Sequence, residues 1–134
     1  MGQLTEYTAA ICFYGDELDP DHITRVLGKS PTKSRRKGDV EDGKARQATT
    51  GNWILDAPAC KTNDLNSQIE EMLRDSTPDT KVWHGISTSY KGRLFCGLFL
   101  NSMNEGQSIS PHSLSLLAER GLALDLDIYS MHEE

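Results

Sequence analysis

Cysteine is scarce in this chain and poorly placed for shared chemistry. Cys12, Cys60 and Cys96 are the only three. They are odd in number and far apart, with no C-x-x-C pair and no histidine at metal-finger spacing, which argues against a zinc site. Cys12 and Cys96 fall inside apolar, strand-like runs, where a free thiol behaves as a small buried hydrophobe and suits a reducing compartment. Long apolar runs are missing as well: no stretch approaches the ~18 residues of a membrane span. The start, Met1 to Glu6, has neither a basic opening nor an apolar core, so no export signal is read there. These absences predict a soluble, unexported, cytoplasmic protein with no membrane contact and no cofactor. No low-complexity tract occurs, and no repeat beyond two proline-capped helices.

Basic residues are the minority, 14 against 20 acidic, for a net charge of -6. They are unevenly spread. The segment 29–46 holds seven basic and three acidic residues, which makes it +4 and leaves -10 on the remainder. The chain is thus a charge dipole, and a solvated loop or a binding patch both account for such a run. Its 134 residues fit one domain, 1–134, large enough to hold a core without staples.

Thr5 to Tyr14 has the period of a strand, apolar on both faces, and is therefore expected to be well covered. Asp19 offers an N-cap, Pro20 fits the first helical position, Ile23, Val26 and Leu27 form a stripe, and Gly28 supplies the stop. From there to residue 51, glycines, charges and the absence of any period predict a long, basic, flexible loop. Fast amide exchange is expected between Ser34 and Thr50, with ordering on partner binding. Trp53-Ile54-Leu55 reads as a strand ended by Ala57-Pro58, and Asn63 or Asp64 caps a helix with Leu65, Ile69, Met72 and Leu73 at helical spacing. Lys81 to Tyr90 alternates and is read as a strand joined through Lys91-Gly92 to a second strand, Arg93 to Leu100. Ser110-Pro111 opens a third helix stopped by Gly121, and Leu122 to Tyr129 alternates as a closing strand. The expected class is α+β, a mainly antiparallel sheet with helices on one face. Its core is expected to be ferredoxin-like βαββαβ, preceded by an extra strand and helix.

Several signatures occur in a fixed order: Tyr7 in the first strand, Leu18-Asp19-Pro20, Leu27-Gly28 before Pro31, and Lys37-Gly38-Asp39. Trp53 after Gly51 and the closing Leu124-Asp125-Leu126-Asp127-Ile128-Tyr129 complete the set. Together they resemble a bacterial family known as domain of unknown function 4279, over nearly the whole chain. The resemblance implies a small intracellular bacterial domain and, by analogy, an immunity partner of a bacterial toxin. It carries over no activity.

Reaction motifs fail on inspection. Gly28-Lys29-Ser30 resembles the end of a phosphate loop, but Ile23 stands where the earlier glycine is required and the helix precedes the motif. Gly85-Ile86-Ser87-Thr88-Ser89 resembles a nucleophile elbow except that Ser89 replaces its last glycine. His84, placed on the expected strand, is a candidate base only if a carboxylate and a nucleophile converge on it. Asp125 and Asp127 share one strand face, as paired carboxylates would, and equally as solvated residues would. Trp53 reads first as core. If the basic loop folds back beside it, Arg35, Arg36, Lys37 and Arg46 could line an anion groove with the indole.

The reading that follows is a non-enzymatic protein-interaction module with an unidentified protein partner, in the manner of an immunity protein. The alternative is a binder of a small anionic or phosphorylated ligand, or of nucleic acid, through the basic loop. Overall acidity and the lack of aromatics within the loop argue against nucleic acid. An enzyme built on His84 with Asp125 or Asp127 is a third reading, and a homodimer is compatible with the sequence.

Overall fold

The elements follow the order β1 (Gly2–Gln3), β2 (Glu6–Gly15), α1 (Pro20–Leu27), β3 (Lys33–Arg35), β4 (Gly51–Asp56), α2 (Leu65–Leu73), α3 (Thr80–Tyr90), β5 (Arg93–Leu100), β6 (Glu105–Gly106), α4 (Pro111–Glu119) and β7 (Ala123–Ser130). A computed structural model describes residues 2–40, 47–58 and 64–130. Asp19 caps α1 by accepting from the amides of Asp21 at 3.1 Å and His22 at 3.4 Å. Pro20 costs nothing at the first position because its missing N–H would have had no helical partner. Gly28 ends the helix at φ 74°, donating to the Thr24 carbonyl, a conformation that L side chains resist. Asp64 caps α2 and Ser110 caps α4.

Five strands form one sheet in the order β3-β4-β2-β5-β7. All neighbours are antiparallel except β5 and β7, which α4 connects as a crossover. This is an α+β fold with a mainly antiparallel mixed sheet. Alternation sends Ala9, Ile11 and Phe13 of β2, Trp53 of β4, and Leu94 and Cys96 of β5 to one side. There they meet Ile23 and Leu27 of α1, Ile69 and Met72 of α2, Trp83 and Ile86 of α3 and Leu117 of α4. All four helices of the described residues therefore share one core on one face of the sheet. Phe13 sits at its centre, its ring 5.6 Å from that of Trp53 and 6.4 Å from that of Trp83.

Two sequence expectations are corrected. Residues 81–90, expected as the first strand of a hairpin, form α3. Both periods fit the apolar residues, but Trp83, Ile86 and Ser87 are the ones buried, at helical and not alternating spacing. Asp79 caps the helix by accepting from the Lys81 amide at 3.0 Å, and Lys91 closes it in the left-handed region at φ 53°. The chain from β4 onward consequently runs β4-α2-α3-β5 before α4 and β7, so a βαββαβ order does not begin at β4 behind an extra strand and helix. That order of elements runs instead from β2 to β5, through α1, β3, β4 and the pair α2 and α3, with α4 and β7 after it. The second correction concerns residues 33–35, expected as loop. They pair antiparallel with β4, because an edge strand is held by main-chain hydrogen bonds and needs no hydrophobic period. Farther along, the amides of Gly38 and Ala48 donate to the carbonyls of Ala48 and Asp39, so these two are expected to exchange more slowly than the rest of the loop.

Burial also sets thiol chemistry. It pushes the Cys96 thiol up to about 11, and it raises Cys12 against the opposing pull of a Tyr14 hydrogen bond and Arg93. Since the thiolate is the nucleophile, Cys12 and Cys96 are expected to resist alkylation at neutral pH in the folded protein. Both should label rapidly in denaturant, as site-resolved mass spectrometry would show. Labelling of either at equal rates in both states would contradict their burial.

Candidate functional site

Among the described residues, the second face of the sheet carries no helix. On β2 it presents Thr8, Ala10, Cys12 and Tyr14, opposite in direction to the core residues between them. The expectation that both faces of this strand are well covered thus holds only for the helix side. The register continues the open face across its neighbours. Tyr14 lies beside Asn52, Cys12 beside Arg93, and Ala10 beside Phe95. On the far side Phe95, Gly97 and Phe99 lie beside Asp125, Asp127 and Tyr129.

Two arrangements stand out there. The Arg93 guanidinium lies 5.0 Å from the Tyr14 ring centroid and 5.6 Å from that of Phe95. Its Nη1 donates to Asp125 Oδ2 at 2.8 Å, and its Nε is buried without a hydrogen-bond partner among the described residues. Contact with Tyr14 and Asp125 raises the pKa of this guanidinium, so it is a permanent cation fixed between two aromatic faces. At the other end Phe99 and Tyr129 stack, with centroids 4.9 Å apart and planes 8° from parallel. The Tyr129 hydroxyl donates to Asp127, which raises the pKa of the phenol. Gly97, between the two arrangements, leaves a dip: a Cβ there would sit 2.8 Å from Thr8 Oγ1. Where β2 ends, a groove of about 840 Å³ opens beside Tyr14, Glu17, Tyr90, Arg93 and Asp125.

The residues singled out from the sequence are distributed differently. Trp53 is 0% exposed, and its indole N–H donates to Thr24 Oγ1 at 3.0 Å. Its register partner across β3 is Ser34, not Arg35, so Lys33 and Arg35 lie on the open face and the indole on the other. Trp53 offers no surface to a groove. Arg36 turns towards the start of α1, with Nη2 at 2.8 Å from Asp19 Oδ1 and 3.0 Å from Asp21 Oδ2. Lys37 reaches Asp16 at 3.3 Å. Two of the segment's seven basic side chains, Arg36 and Lys37, are therefore paired at home. Arg46 lies outside the described residues. His84 is an exposed residue of α3 whose Nδ1 lies 3.4 Å from Thr88 Oγ1. Asp125 and Asp127 are across the sheet from it, so the acid–base pair considered from the sequence is not assembled. Tyr14, Arg93, Phe95 and Phe99 were not singled out. Their signal was available in Arg93 to Phe99, where both alternating sets are apolar or aromatic although helices cover one side only.

The pairing at α1 has a pH signature. The Lys37 contact, followed by Thr50, lowers the Asp16 pKa. For Asp19, partial desolvation works upward but is outweighed by the amides of His22 and Asp21 together with Arg36. A carboxylate whose folded pKa is depressed stabilises the fold above its unfolded value, roughly 4. It loses that contribution as pH falls through the folded value. Changing Arg36 and Lys37 to Ala is expected to lower the urea midpoint at pH 6–7, with the gap to the parent closing below pH 4. These pairs are exposed, so the effect should also shrink in salt; a gap independent of pH would contradict it.

No helix among the described residues is long and apolar enough to cross a membrane. Neither the curated proteins nor the solved structures yield a match to the chain. A family model does match, and it covers residues 5–131, from the first residues before β2 to the end of β7. The ordered signatures, from the β2 tyrosine through the proline-capped helix to the acidic closing strand, thus have their explanation in descent: the chain belongs to the domain of unknown function 4279 family.

Proposed function

We propose that this domain is a non-enzymatic protein-interaction module of the bacterial cytoplasm, binding a protein partner through the helix-free face of its sheet. One observation supports the reading above all. Tyr14, Phe95, Phe99 and Tyr129, with Arg93 held between the first two, lie on a face that no element of the described chain covers. Aromatic residues and arginine supply most of the energy at protein interfaces, because they bring large rigid area with a polar handle. The free, buried thiols Cys12 and Cys96 agree with a reducing compartment. The alternative, a small anion, a phosphorylated ligand or nucleic acid on the basic loop, is weakened by the ion pairs that hold Arg36 and Lys37.

Affinity capture from the native lysate tests the reading. It would compare the parent with Phe99→Ala/Tyr129→Ala and with Arg35, Arg36 and Lys37 all changed to Ala. A protein captured by the parent and by the loop variant, but lost from the open-face variant, is expected. Recovery of the chain alone at both low and moderate salt overturns the module. Salt-sensitive retention of DNA or RNA by the parent, abolished in the loop variant, favours the alternative.

A further inference from the structure

We infer that the outer edge of β7 is a strand-addition site for an extended segment of another protein in which basic and apolar residues alternate. The inference rests on the interaction-module reading and adds the mode of binding and the chemistry of the partner. Among the described residues β7 ends the sheet, with β5 as its one strand neighbour. Its eight residues, Ala123–Ser130, are longer than a typical protected edge. Such an edge presents unpaired main-chain donors and acceptors, and natural proteins blunt it when it is not used. β7 contains no proline and no lysine, and the charges it does carry, Asp125 and Asp127, are of one sign, which selects among incoming strands without excluding a basic one.

The side chains on its two faces define what fits. On the helix side Leu126 is 50% and Ile128 59% exposed, although Ile11, Phe13, Leu94 and Cys96, on the same side of β2 and β5, are almost wholly buried. α4, which packs beside β7, leaves Leu114 exposed as well. An added strand would place apolar side chains against Leu126 and Ile128, at the ~5 Å spacing at which cross-strand pairs interact. On the open face the same strand would set its other side chains against Asp125, Asp127 and Tyr129. Asp125 is engaged by Arg93. Asp127 receives only the Tyr129 hydroxyl among the described residues and keeps lone pairs for a cation. The chain's charge of -6 attracts such a segment over a longer range.

A second copy of this chain fits less well. Two-fold antiparallel pairing keeps like faces together, so the registers centred on residues 125, 126 or 127, which overlap β7 most fully, set an aspartate of one copy directly against an aspartate of the other. Like charges directly opposite one another destabilise a strand pair. Main-chain bonding with charge-selected side chains is the mode by which extended peptides extend an exposed sheet.

The test titrates the full ¹⁵N-labelled chain with a ten-residue peptide alternating Lys and Val, and separately with one alternating Glu and Val. Saturable amide shifts concentrated in residues 123–130 with the Lys/Val peptide, and absent with the Glu/Val peptide, are expected. Asp127→Lys should weaken the first by about tenfold and admit the second, with circular dichroism confirming that the variant is folded. The peptide comparison on the parent stands even if that variant fails to fold. The inference is overturned by no saturable shift, by equal binding of both peptides, or by shifts centred on Arg93. It is also overturned by shifts of β7 that grow with protein concentration without peptide, which would assign the edge to a second copy. A lysate partner that depends on Phe99 and Tyr129, with neither peptide binding, would remove the strand-addition site and leave the module intact.

Discussion

Phe13→Ala is expected to cost about 3–5 kcal/mol of folding stability, the range for removing a large ring from a closed core. Phe13 is fully buried on the central strand and bridges Trp53 and Trp83. Each indole is anchored from outside the sheet, Trp53 to Thr24 of α1 and Trp83 to the carbonyl of Thr77. With both held, neither can swing into the space the ring leaves, so the cavity persists and the cost should lie towards the upper end. A domain of this size has roughly 5–15 kcal/mol in total, so the variant should be marginal, with Tm lower by about 10–20 °C. Phe13→Leu, which keeps most of the volume, should lose far less. Urea unfolding of both variants decides the matter. A loss below about 1 kcal/mol for Phe13→Ala would mean that the indoles repack and that the central triad is not rigid.

The same residues show what the sequence could and could not disclose. Helices α1 and α4 were legible because their ends are written in local chemistry. A side-chain acceptor, a proline and a terminal glycine act within one turn and need no tertiary context. Strands β2 and β7 were legible from alternation. α3 was not, since Val82, His84, Ile86, Thr88 and Tyr90 satisfy period two while Trp83, Ile86, Ser87 and Tyr90 satisfy the helix. A short segment that fits both periods is decided by what it packs against, here Phe13 and the underside of β2. β3 was hidden for the opposite reason. Its three residues have no pattern, and their place comes from the carbonyls and amides of β4.

The candidate site was legible in part. Asp125 and Asp127 were identified as sharing a face, and they do, each beside a residue of β5. Their surroundings were not foreseen, because pairing Arg93 with Asp125 requires a parallel register between strands joined through α4. Charge clustering points instead to Arg36 and Lys37, whose partners Asp16, Asp19 and Asp21 lie 15 to 21 residues away. A run of one sign reveals a binding patch only where the fold does not bring the other sign to meet it. Trp53 was correctly read first as core, and its neighbour across β3 is Ser34.

Gly92→Ala is expected to be the most damaging single methyl group that can be added near the site. A Cβ at this position would stand 2.6 Å from Ser87 Oγ, 2.7 Å from Ser87 Cβ and 2.8 Å from the Phe13 ring. Neither neighbour can yield, since Ser87 is fixed in α3 and Phe13 in the centre of the core. Overpacking of this kind costs about 1–3 kcal/mol. Gly92 also precedes Arg93, so any backbone shift that relieves the clash moves the guanidinium from between Tyr14 and Phe95. Changing Ser87 to Gly separates the two effects. The Ser87 hydroxyl is buried without a hydrogen-bond partner among the described residues, so its removal forfeits no bond there, although glycine inside a helix costs about 1 kcal/mol. In that background two of the three clashing atoms are gone, and Gly92→Ala should cost clearly less than in the parent, a non-additivity of about 0.5–2 kcal/mol. Urea midpoints of the four proteins in this cycle supply the test. Strict additivity would show that the penalty arises from the backbone at Gly92, and that the approach of α3 to the start of β5 does not hold Arg93 in place.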